Sequence, residues 1–226
     1  MLRFVQSLFG LAALCASFVS TTAPAIAQDA RIGEASSVQN QVTRVRGQGG
    51  QPIAPGASVF RNETIATAVA SSARLTFLDQ TNLSIGPSSR VVLNRFVYAG
   101  DTSAQALSVN LARGAFRFSS GALDKRAYRI ETPVATIGVR GTVLDISSTQ
   151  GRTVVTLVNG QAQACTRSGR QCAQLLNLGD SVVIDSAGAR RTNAGFSFAQ
   201  FCGGNPTLCG SGATQFAQAG DALCGR

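Results

Sequence analysis

This 226-residue chain has no histidine and no tryptophan, one methionine, two tyrosines, a single lysine and only eleven acidic residues. Without histidine the commonest general base is missing, and Ser-His-Asp or Cys-His arrangements are impossible. A carboxylate pair acting on sugars is the enzyme reading left open. Asp79, Asp124, Glu131, Asp145, Asp180 and Asp185 are available for it, yet each sits in a turn or strand-end context where capping or solvation is the ordinary role. The scarcity of tyrosine and tryptophan also leaves few platforms for a sugar ring. The expectation is a protein that is not an enzyme, with no catalytic residue, cofactor or metal site.

Long apolar runs are missing too. Arg3 is followed by an apolar stretch over residues 8–19 and then by Pro24-Ala25-Ile26-Ala27, a small-x-small ending suited to signal-peptidase cleavage. The stretch falls short of the roughly 18 residues that span a bilayer. Residues 1–27 are therefore expected to be a cleaved signal peptide, with Gln28 as the first mature residue and the periplasm or the exterior as destination. Leu14 ahead of Cys15 argues against a lipoprotein site, and no later segment is apolar enough for a membrane span. Residues 28–226 carry nineteen basic against eleven acidic side chains, a formal +8, which favours negatively charged partners. Only Lys125-Arg126 and Arg190-Arg191 place basic residues side by side, so solvated, singly spaced arginines are the ordinary reading and nucleic acid is not an expected partner.

What is abundant is alternation. Leu75 and Phe77, Leu83 and Ile85, Leu107, Val109 and Leu111, Phe116 and Phe118, Tyr128 and Ile130, and Leu144 and Ile146 recur at period two with polar residues between them. Turn signals break the pattern at Pro55-Gly56, Gly86-Pro87, Gly100-Asp101, Gly121, Gly151, Asn159-Gly160, Gly169 and Gly188. A weak repeat places a glycine three residues after an apolar one at Gly114, Gly160 and Gly179. Glycine at a fixed place before a short strand suits a tight corner. The fold class expected is all-β, a short β-solenoid or rolled sheet, ahead of a conventional sandwich. It divides into a lead-in at 28–41, a β domain at 42–190 and a small disulfide-stapled C-terminal appendage at 191–226.

Within the stretch 128–146, Arg140 stands between Gly138 and Gly141 in a run otherwise built for a buried strand. On a regular strand it would share the core face with Thr142, Leu144 and Ile146. Either a glycine bulge re-aims it, or a carboxylate such as Glu131, Asp79 or Asp145 holds it. The internal brace is preferred here to a ligand-binding role.

Cys165 and Cys172 flank a turn-like interval, and Cys202 and Cys209 have the same spacing around Gly203-Gly204-Asn205-Pro206. Two short disulfides are expected, consistent with an oxidising compartment. Pairing of Cys202 or Cys209 with Cys224 instead, and a disulfide-linked dimer through Cys224, stay open. No C-x-x-C pair supports zinc. Phe196, Phe198, Phe201 and Phe216 in the appendage are expected to pack rather than to form a docking patch.

These segments resemble the FecR domain. The residues that carry the resemblance are Ser72 to Ser89 around Asp79, the Gly114 segment at 111–118, Thr132-Pro133 followed by Val139-Arg140-Gly141-Thr142, the 154–160 segment ending at Gly160, and Leu178-Gly179-Asp180. The Val-Arg-Gly-Thr element is the most specific. Gln80 stands where that family usually has glycine. The best-known FecR-like proteins add a cytoplasmic anti-sigma segment and one membrane helix, and here a signal peptide takes that place. The resemblance implies an all-β, solenoid-like periplasmic module that binds envelope proteins of unknown identity in signalling or regulation. The alternatives carried from the residues are a cell-wall or polysaccharide-binding protein and a structural envelope protein.

Overall fold

The computed structural model describes residues 30–46, 49–98, 104–122 and 128–203. The first nine strands are β1 (Arg31–Gln39), β2 (Val42–Arg46), β3 (Gly49–Pro52), β4 (Ser58–Phe60), β5 (Thr64–Thr67), β6 (Ser72–Phe77), β7 (Asn82–Ile85), β8 (Arg90–Tyr98) and β9 (Ala104–Ser119). Six follow, β10 (Tyr128–Glu131), β11 (Ala135–Ser148), β12 (Thr153–Thr166), β13 (Cys172–Leu175), β14 (Ser181–Asp185) and β15 (Gly188–Arg191), and then one short helix, α1 (Phe198–Gly203). Residues 1–27, expected as a signal peptide, Gln28, Gly100-Asp101, Asp124, Lys125-Arg126, Cys209, Phe216 and Cys224 lie outside the described residues.

The fifteen strands form one continuous sheet, and it is rolled because three long strands each serve two ladders in turn. The first part of β9 pairs with β8 and, in parallel, with β10, whereas residues 114–119 pair with β7 and β11. Strand β11 likewise pairs with β10 through residues 136–138 and with β9 through residues 143–148. Strand β12 passes from β14 at its start to β13 at its end. One ladder therefore runs β4-β1-β6-β7-β9-β11-β12-β14-β15, the other β3-β2-β5-β8-β9-β10-β11-β12-β13. Their inner faces share a single core.

The period-two residues supply that core in register. Ala73, Ile85, Phe116, Ile146, Val155 and Val182 align across six strands, and Leu75, Leu83, Phe118, Leu144 and Leu157 form the adjacent row. All of them are buried. Each large apolar side chain removed from water in this way contributes about 1.5–3 kcal/mol before chain entropy is charged against it. In the second ladder Leu107 and Val109 face Tyr128 and Ile130, and the Tyr128 ring meets Phe118 edge-on at 5.9 Å.

The rolled sheet is realised rather than the solenoid. Parallel stacking occurs only between β9 and β10 among the described residues, and every other pairing is antiparallel. Strand β1, inside the segment read as a lead-in, pairs with β4 and β6 and buries Ile32 and Ala35. Asn159-Gly160, expected as a turn, lies within β12 at the point where the strand changes ladder. Gly160 has φ of +83° and a side chain there would collide with the Gly141 carbonyl. Gly114, at the matching bend of β9, has φ of +121° and leaves room for Ser89 alone. A bend that brings two backbones into contact excludes a Cβ.

Candidate functional site

The motif residues of β10 to β12 form two backbone fasteners. At the first, the Thr132 N–H donates to the Ala135 carbonyl across Pro133 and Val134, and Thr132 Oγ1 accepts the Ala135 N–H, each at 2.9 Å. The same hydroxyl meets Thr153 Oγ1 at 2.8 Å, tying this hairpin to β12. Both threonines are fully buried.

The second fastener is a bulge at Val139-Arg140-Gly141-Thr142. Residues Ala135, Ile137 and Val139 point inward, and after Gly141, at φ +61°, the inward set becomes Thr142, Leu144 and Ile146. The register with β12 shifts at the same place. One extra residue thus reverses the parity, and Arg140 falls on the exposed side. The brace expected for Arg140 is not formed: its guanidinium makes no ion pair with a described residue, while Asp145, Asp79 and Glu131 are engaged by other groups. Thr142 locks the bulge. Its Oγ1 donates to the Gln161 carbonyl at 2.6 Å and accepts from the Arg140 N–H at 2.9 Å, and its N–H donates to Ser120 Oγ at 2.8 Å.

Within the Val-Arg-Gly-Thr element Arg140 presents its charged group outward. Gly138 and Gly141 beside it have open space where a Cβ would stand. Gln161 lies opposite Arg140, and Arg129 and Gln163 lie on either side of Gly138, all of them exposed. The result is a flat polar face with bare backbone and two arginines.

Asp79 belongs to a third fastener, in the turn between β6 and β7. Its Oδ2 accepts from Thr81 Oγ1 at 2.6 Å and from the Tyr128 hydroxyl at 2.8 Å, and Thr81 Oγ1 accepts the Gly121 N–H at 3.0 Å. Gln80 keeps the turn in a left-handed conformation, φ +67°, which glycine adopts more readily. Gly179 sits in the exposed turn before β14, where Asp180 accepts the N–H groups of Leu176 and Asn177. Those two N–H groups, with Arg191 alongside, draw the Asp180 carboxyl down from its ordinary 3.8 to about 2.

Sequence reasoning missed the buried ion pair of Arg117 and Asp145. Arg117 Nε donates to Oδ1 at 2.7 Å and Nη2 to Oδ2 at 2.9 Å, and the Asp145 side chain is 2% exposed. The signal was present in Phe116-Arg117-Phe118 and Leu144-Asp145-Ile146, where a charge flanked by two core residues must point to the opposite face. Arg74 lies two strands away from Arg117, and burial followed by the Arg117 charge pushes its pKa down. A second buried pair, Arg44 with Glu63 at 3.2 Å, holds β2 against the turn after β4.

Asp145 is buried on the outer face because the C-terminal segment crosses it. Phe198 N–H donates to Asp145 Oδ2 and Phe196 N–H to Thr156 Oγ1, each at 2.9 Å. The Phe198 ring is 1% exposed and packs with Ala115. Packing rather than docking is therefore the state of Phe198, while Phe201 remains partly exposed.

Cys165 and Cys172 are disulfide-bonded across the β12–β13 turn. Cys202 is also disulfide-bonded, to a cysteine outside the described residues. Among the described residues no three His, Cys, Asp or Glu side chains cluster to hold a metal ion, and no helix is long and apolar enough to cross a membrane.

None of the curated protein sequences compared with this chain matches it. Two crystal structures of a candidate anti-sigma factor from Parabacteroides distasonis ATCC 8503, at 1.65 and 2.50 Å, are similar to part of the chain. Each is 14% identical, with TM-scores of 0.46 and 0.48 over 58% and 62% of this chain. The chain spans 60% and 64% of the length of those two chains. Residues 63–163 match the family described as FecR protein, a span that stops short of the Leu178-Gly179-Asp180 piece of the motif resemblance. The match begins at the buried Glu63 and ends in β12, so it takes in the Asp79 turn, the Gly114 bend and the Thr132 hairpin. It also takes in the Val-Arg-Gly-Thr bulge and Gly160, so residues 63–163 are similar to the FecR protein family.

Proposed function

We propose that this chain is an exported, non-enzymatic interaction module of the cell envelope, acting in signalling or regulation through contact with other envelope proteins. The observation that carries this reading is the division of labour within the motif. Its threonines, glycines and aspartate are consumed in holding backbone, and its arginine is held out to solvent. A strand bulge that costs regular pairing and turns a charge outward supports a recognition role. The face around Arg140 offers two guanidinium groups and amide side chains over glycines that let a partner approach the backbone closely. That chemistry suits an acidic, extended protein segment, in keeping with the formal +8 of residues 28–226.

In this reading residues 1–27 direct export and are removed, residues 42–190 are the contact domain and residues 191–226 its appendage. Protein sequencing from the envelope fraction is expected to begin at Gln28. For the contact itself, a photo-crosslinking amino acid at Gln161 is expected to capture a discrete envelope protein in intact cells, and the adduct is expected to vanish when Arg140→Ala is added. The same probe at exposed Arg61, distant in the sheet order, serves as control. Recovery of the uncrosslinked chain alone from every position would refute the proposal.

A further inference from the structure

The segment of residues 193–203 occupies a site that is built to take a peptide. Gly195 passes so close to the sheet that a Cβ there would stand 2.5 Å from Ser181 Oγ and 3.0 Å from Thr156 Oγ1. Two residues apart, the N–H groups of Phe196 and Phe198 are accepted by side chains of neighbouring strands, Thr156 on β12 and Asp145 on β11. Those acceptors are themselves held: Asp145 by the bidentate Arg117, Thr156 by a hydrogen bond from Ser181 Oγ at 3.0 Å. The Phe198 ring lies on Ala115 and on the bare backbone of Gly86, where a Cβ would stand 3.4 Å from its edge. Acceptors at fixed spacing, a floor of small residues for one ring, and close backbone approach are the parts of a cleft that reads a segment with aromatic residues two apart, here one that enters α1 at Phe198.

The occupant sits outside the main core. Cys202, buried in a small cluster with Ala115 and Phe198, is disulfide-bonded. Buried Phe198 and Cys202 and two hydrogen bonds to its lead-in hold the segment, and that cluster is separate from the main core. Beside it an open groove of about 430 Å³ continues past Phe196 and Phe201 to Pro87, Arg113 and Gln150.

We infer that the outer face of β9, β11 and β12 is a second docking site, for a partner segment of the form Phe-x-Phe that enters a helical turn at its second ring, and that the chain's own residues 195–202 fill it in cis. This rests on the reading of the chain as a contact module, but it concerns a face other than that of Arg140. The cis segment acts as a competitor that a partner must displace, so the apparent affinity of a partner falls by the fraction of time the cleft is open.

The test uses the full-length chain with Phe198→Ala and a fluorescent peptide of residues 192–203 carrying Cys202→Ser, followed by anisotropy. The peptide is expected to bind the variant at least about tenfold more tightly than it binds the wild-type protein, since the competing ring is gone. Thr156→Val added to the variant, or Phe198→Ala in the peptide, is expected to lower that affinity several-fold. If Phe198→Ala does not fold by circular dichroism, Phe198→Leu takes its place. A folded variant that does not bind the peptide would overturn the inference. So would a variant found as a concentration-dependent dimer that the peptide cannot dissociate, which would mean exchange between two copies. Either failure leaves the Gln161 crosslink intact, so the two readings fall separately.

Discussion

Arg140→Ala is expected to leave unfolding stability in urea within about 0.5 kcal/mol of the wild type, because the side chain is exposed and its backbone N–H, which Thr142 holds, is kept. A drop of several kcal/mol would mean that the guanidinium braces the fold after all. Gln80 gives the opposite kind of residue. It holds a left-handed conformation at a place where glycine would do so without strain, and Gln80→Gly is expected to raise stability by about 0.5–1 kcal/mol in the same measurement. Both residues stood out in the sequence for what surrounded them, Gly138 and Gly141 around one and Asp79 before the other. Side-chain direction could not be read from those letters. A period-two pattern assumes an unbroken strand, and a single extra residue at Gly141 sent Arg140 to the opposite face.

At the level of elements, β9 and β11 are joined by more than their ladder. Arg117→Met is expected to cost about 3–5 kcal/mol by leaving the Asp145 carboxylate buried without its ion pair. Because Asp145 also accepts the Phe198 N–H, the same variant is expected to speed hydrogen exchange at Phe196 and Phe198 while the inner strands stay protected. A variant as stable as the wild type would show that the pair is dispensable. Strands were legible as elements because Leu75, Leu83, Phe116, Phe118, Leu144 and Ile146 alternate cleanly with polar residues. The passage of β9, β11 and β12 from one ladder to another was not. Gly114 and Gly160 looked like turn glycines, and only contact with Ser89 and Gly141 shows them to be bends inside strands.

Over the whole molecule two conditions tune stability. Removing the Cys165–Cys172 bridge with Cys172→Ser is expected to cost about 2–3 kcal/mol from the freed chain entropy of a short loop, read as a lower urea midpoint under oxidising conditions and no difference from wild type under reducing ones. Asp180 titrates near 2 in the fold against an ordinary 3.8, so its contribution is complete above about pH 4 and is lost as pH falls through 2. The melting-temperature gap between wild type and Asp180→Asn is expected to be largest near pH 5 and to close by pH 2. A gap that widened on acidification would contradict the hydrogen bonds assigned to this carboxylate. Local alternation and glycine placement determined that the chain would be β, which residues would be core and that residues 63–163 would match the FecR protein family, because those properties depend on neighbours in the chain. The outward turn of Arg140, the Arg117–Asp145 pair and the seating of Phe198 were decided only in three dimensions. Each depends on which strand lies beside which, and that is set when the sheet rolls and brings residues dozens of positions apart into one row.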